Sequence, residues 1–136
     1  MKKHLVIFFF LFAVLLPQCD KVKNPDCALA VCTTEFRGIG IMIKHSADSS
    51  AVLLTDFKVH RISDNKDITK SNYSYNDKSG YYPLVNDTDR IALSNMNVEI
   101  EFQGYINDAL VITKRFVVTA DCCHVSLVSG ESEAYI

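Results

Sequence analysis

No cluster of lysine and arginine occurs anywhere in the chain, whose formal net charge is -2, and this excludes the electrostatic footprint that neutralising nucleic-acid phosphates requires. Long apolar runs are also lacking. The one unbroken stretch, Leu5 to Leu16, has twelve residues, too few to span a bilayer as a helix. There is no Gly-x-Ser-x-Gly, no His-Glu-x-x-His and no phosphate-binding glycine loop, so the sequence gives no reason to expect an enzyme. Repeats of fixed period, low-complexity segments and long segments of helical period are missing too. What remains is a chain of one-domain length with an ordinary balance, 49% hydrophobic and 22% charged.

What is present begins with a leader. Lys2 and Lys3 precede the apolar run, which reads as a signal peptide over residues 1–18. Leu16-Pro17-Gln18-Cys19 resembles the bacterial lipobox, in which the cysteine is lipidated and becomes the new N-terminus; Gln18 stands where that motif usually has a small residue. Cleavage after Ala28-Leu29-Ala30 is the rival, and it would leave three cysteines, whereas lipidation of Cys19 leaves an even four. The expected organisation is a lipidated tether over 19–31, a domain over 32–130 and a polar tail over 131–136, attached to the envelope through the lipid. A secreted or periplasmic soluble protein is the alternative.

The domain reads as strands. Ile39, Ile41 and Ile43 alternate with Gly40 and Met42, and the glycines at 38 and 40 predict a bulge or a close approach. A second strand is expected over 52–62, and a turn over 63–67. Asn86-Asp-Thr-Asp89 before Ile91-Ala-Leu93 predicts one or two helical turns. Residues 98–106 carry the cleanest alternation, Asn107-Asp108 turns the chain, and 110–118, apolar on both faces, is expected to be central. Residues 122–128 form the last expected strand. About seven short strands separated by turn signals predict an all-β fold, an antiparallel β-sandwich.

Cys32-Thr33-Thr34-Glu35-Phe36, the stretch from Phe57 to Thr69, Phe102-Gln-Gly-Tyr-Ile-Asn, and above all Phe116-Val-Val-Thr-Ala-Asp-Cys-Cys-His-Val-Ser-Leu-Val-Ser-Gly130 are similar to a group of small lipoproteins of Bacteroidota. The resemblance covers most of the chain beyond the leader. It implies an immunoglobulin-like or transthyretin-like sandwich in the cell envelope, on the outer membrane, and it carries over no catalytic residue.

Cysteines of an exported chain are read first as disulfides. Four of them allow three connectivities, and a bridge between neighbours Cys122 and Cys123 would be strained far from normal geometry. Strand phase then favours Cys32 with Cys123 facing the core and Cys27 with Cys122 outside, with His124 beside Cys122 on the outer, exposed face. Each bridge closes roughly ninety residues, worth up to about 4 to 5 kcal/mol in the chain-entropy model. A metal held by the four cysteines and His124 is disfavoured, because adjacent strand cysteines diverge and the compartment is oxidising. A Cys123–His124 nucleophile fails for the same divergence. His45 and His60 fall in a turn and on a polar strand face. The acidic turns 64–67 and 86–89 lack the spacing of a calcium-binding EF-hand loop and are read as turn chemistry; no metal or other cofactor is expected.

Tyr73, Tyr75, Tyr81 and Tyr82, around Asn76-Asp-Lys-Ser-Gly80, form the candidate binding surface, since tyrosine with Ser, Asn and Gly supplies rigid amphipathic contact area for a protein or carbohydrate ligand. Cross-strand pairing of these rings in a hairpin is the competing explanation. The expected function is a non-catalytic binding or accessory module of an envelope lipoprotein. The alternative is a structural component of a surface or secretion assembly that joins its neighbours through a β edge.

Overall fold

Strands of alternating polarity need a sheet with one wet face, and the chain builds two such sheets in a computed structural model that describes residues 25–70 and 79–136. The strands are β1 (Gly38–Lys44), β2 (Asp56–Arg61), β3 (Lys66–Asp67), β4 (Tyr81–Asn86), β5 (Val98–Ile106), β6 (Ala109–Ala120), β7 (Val125–Ser129) and β8 (Glu133–Tyr135). One sheet has the order β4-β1-β8, the other β3-β2-β5-β6-β7. Their inner faces pack together as an all-β sandwich.

The core is made by alternate residues of the facing strands. Ile41, Ile43 and Leu84 come from the small sheet, and Phe57, Val59, Ile100, Phe102, Phe116 and Val118 from the large one, all fully buried. Phe57 meets Tyr82 edge-on at 5.5 Å and stacks on Phe102 at 5.8 Å, so aromatic contact joins the two sheets. Each such side chain contributes about 1.5 to 3 kcal/mol by leaving water. Asn107 and Asp108 both adopt the left-handed conformation, with φ of 48° and 64°, as a two-residue hairpin turn requires. In β1 the ladder to β4 slips between Ile39 and Gly40. A Cβ at Gly40 would lie 2.2 Å from the Tyr81 ring, so this glycine is where aromatic and backbone meet.

Three expectations need correction. The second strand is shorter than 52–62: Val52 and Leu54 are buried, but they belong to the segment that crosses from one sheet to the other before β2 begins at Asp56. β6 lies between β5 and β7, an inner strand as expected, although its far end leaves Leu110 half exposed. Residues 32–37, where the expected domain begins, carry no strand, and the first strand starts at Gly38. The polar tail is in fact structural: β8 adds to β1 in parallel, with Ala134 buried and Glu133 paired to Lys44 at 2.7 Å.

Tyr82 also belongs to the core. It is 6% exposed, its hydroxyl donates to the Val52 carbonyl at 2.8 Å, and it accepts the Leu54 N–H at 2.7 Å. Both backbone groups lie on the crossing segment, so one phenol holds that segment against β4. Tyr82→Phe strands two buried backbone groups, and urea unfolding is expected to show a loss of about 1 to 3 kcal/mol at unchanged m-value.

Candidate functional site

Asp121 determines how the C-terminal cysteines are displayed. Its Oδ1 accepts the N–H groups of Cys123 and His124, each at 2.7 Å, and its own N–H donates to the His124 carbonyl at 3.1 Å. Those bonds hold its carboxyl below the usual carboxylate range. A closed turn results, and β7 starts only after it, at Val125. Both cysteines project from this turn onto the N-terminal segment. Cys27 is bonded to Cys122 and Cys32 to Cys123, with Cα atoms 5.2 Å apart in each pair.

The connectivity is the one strand phase favoured, but the cysteines are not on a strand. Cys123 is only half-buried, and Cys32 is exposed. His124, expected on an exposed face, is 7% exposed, because the alternation of β7 does not extend back through the turn. Its Nδ1 lies 2.8 Å from Asp87 Oδ2, and its Nε2 lies 2.9 Å from the Thr33 hydroxyl. With Asp87 ionised, Nδ1–H donates to the carboxylate, and Nε2 shares its hydrogen bond with the Thr33 hydroxyl.

Asp87 is the buried centre of this arrangement. A 3-10 turn, Asp87–Asp89, is capped by Asn86, whose side chain accepts the Thr88 N–H at 2.9 Å while Asp89 accepts the Asn86 N–H at 2.9 Å. A short helix, α1 (Arg90–Leu93), follows. Since Asn86 and Asp89 make the cap, Asp87 turns inward. It accepts the Arg37 N–H at 2.7 Å and the Val125 N–H at 2.9 Å, joining the N-terminal segment to β7. Burial pushes its carboxyl up, but the Arg37 N–H, the His124 ring and the Val125 N–H outweigh that and hold it at about 2.

Thr33, His124 and Asp87 thus stand in the order hydroxyl, imidazole, carboxylate, which a nucleophilic relay also uses. The surroundings do not match that use. Asp87 is bonded to two backbone N–H groups from separate segments, and neither Thr33 nor His124 lines the cleft at the disulfides or the groove beside Tyr81. With the disulfides, the three residues make a clasp that fastens residues 27–37 to one end of the sandwich. Sequence reasoning missed Asp87 and Thr33; Asp87 carried a signal only as part of a capping run.

A groove of about 720 Å³ opens elsewhere, between β4 and the segment of β3 and the residues after it. Phe36, Ile39, Ile68 and Tyr81 give it apolar walls, and Lys70, paired with Asp89, and Thr88 add polar ones. Of the four tyrosines proposed as a contact surface, Tyr81 lines this groove and Tyr82 does not face solvent. Tyr73 and Tyr75 lie outside the described residues, as does Cys19. The acidic turns are occupied by protein donors: Asp64 pairs with Arg61 at 2.6 Å and Asp67 accepts the Thr69 N–H at 2.8 Å. No family model, curated protein or solved structure matches the chain.

Proposed function

We propose that the protein is a cell-envelope lipoprotein, akin to the small lipoproteins of Bacteroidota, anchored through Cys19 on the outer membrane, and that its sandwich is a non-catalytic binding or accessory module. The observation that carries the binding reading is the groove beside Tyr81, where two aromatic rings, Phe36 and Tyr81, meet lysine, threonine and carboxylate groups in one concavity. Apolar walls with a few polar groups suit a protein segment or a carbohydrate, whose flat faces stack on aromatic rings. Phe36 is 65% exposed and shares the groove with Tyr81, so its ring is open to a ligand that enters there.

The test is capture of envelope proteins and glycans by the wild-type protein, followed by titration of whatever is captured with the Phe36→Ala/Tyr81→Ala double variant. A loss of about tenfold or more in affinity is expected, as for aromatic anchors at an interface. Unchanged affinity for every captured ligand removes the groove as the contact surface. A second reading, a structural component that joins partners through a β edge, is favoured by β7, which among the described residues pairs only with β6 and leaves Leu127 and Val128 partly exposed. Self-association that depends on concentration and ignores the double variant would favour it.

A further inference from the structure

The clasp end of the sandwich carries the three most exposed large apolar side chains among the described residues: Val31 is 96% exposed, Leu29 93% and Ile91 83%. Single exposed apolar residues are ordinary, but these three share one place. Leu29 belongs to the 3-10 turn that holds Cys27, Val31 immediately precedes Cys32, and Ile91 lines the same cleft as Cys27, Cys32 and Cys122. Two disulfides prevent this segment from folding back to bury them.

Chain length identifies what covers them. Five residues separate Cys19 from Pro25, so six residue steps join them, a reach of at most about 20 Å. An acyl group on Cys19 therefore keeps the start of the described chain within that distance of the bilayer, and the Cys27–Cys122 bridge brings the end of the sandwich with it. Lys21 and Lys23 in the tether are balanced by Asp20 and Asp26, and Arg90 in the cleft by Asp121, so charge does not oppose a close approach to the bilayer. We infer that the clasp end docks on the lipid surface, with Leu29, Val31 and Ile91 entering the headgroup boundary, so that the sandwich is held in one orientation instead of swinging on its tether. This rests on the proposed anchoring through Cys19.

The chain contains no tryptophan, so a single introduced one is a clean reporter. Val31→Trp and Ile91→Trp are to be compared with Leu110→Trp, which replaces a half-exposed residue near the other end of β6, about 30 Å from Ala120 along the strand. Full-length acylated variants are reconstituted in vesicles of phosphatidylethanolamine and phosphatidylglycerol containing brominated acyl chains. Quenching of about twofold or more is expected at positions 31 and 91, with a blue shift of emission, and next to none at 110. Intact mass of the same preparation shows whether Cys19 is acylated. An unacylated Cys19 overturns the anchor reading and the docking with it. An acylated protein whose reporters at 31 and 91 are quenched no more than the one at 110 overturns the docking alone.

Discussion

Replacing the cysteines of either disulfide by serine is expected to cost about 2 kcal/mol, whereas replacing all four is expected to cost about 7 kcal/mol, well above the sum of the single losses. The reason is the interleaving of Cys27–Cys122 with Cys32–Cys123. While one bridge stands it already ties the two ends of the fold, and the other closes only a ring of about eight residues through the clasp. Once both are gone, the unfolded chain recovers the closure entropy of a loop spanning more than ninety residues. A loss of that size approaches the whole stability of an ordinary domain, so the reduced protein should be marginally folded. Urea unfolding of the two double-serine variants and the quadruple variant checks this. Additive losses would mean that each bridge acts on a separate part of the structure.

The second large effect falls on Asp87. Asp87→Ala leaves the buried Val125 N–H, the Arg37 N–H and the His124 ring without their acceptor, and a loss of about 3 to 5 kcal/mol is expected. The same carboxyl sets an acid limb. Its folded value of about 2 lies below its ordinary 3.8, so its contribution is fully present above pH 4 and disappears as pH falls through 2, by roughly 2 kcal/mol in all. Asp87→Asn keeps the volume and cannot ionise, so its unfolding free energy should fall less steeply between pH 4 and pH 2 than that of the wild type. Equal acid limbs in the two proteins would assign the acid sensitivity to other carboxylates.

The elements legible in the sequence were those whose cause is local. Alternation placed β1 and β5, two left-handed residues placed the turn at 107–108, and a capping run placed the helical turns after Asn86. Elements whose cause is tertiary were not legible. β8 is three residues long and owes its existence to parallel docking on β1, which no periodicity announces. In β4, positions 82 to 85 are buried in succession, so no alternation distinguishes the core Tyr82 from the groove-lining Tyr81. The disulfide pairing agrees with the phase argument even though its premise, a strand through 122 and 123, does not hold. His124 is buried because Asp87, 37 residues upstream, accepts its proton-bearing nitrogen. That partnership crosses the chain between two turns and leaves no mark on the residues beside either one.

The clasp is the feature on which orientation, stability and the proposed docking depend together. The most direct test is disulfide mapping of the protein by mass spectrometry after proteolysis without reduction. The expected result is Cys27 linked to Cys122 and Cys32 to Cys123, with no free thiol among the four. Cleavage between Cys122 and Cys123, or sequencing by fragmentation of the linked peptides, separates this from the nested pairing of Cys27 with Cys123 and Cys32 with Cys122. Free thiols at 122 and 123, or Cys27 linked to Cys123, would contradict the account.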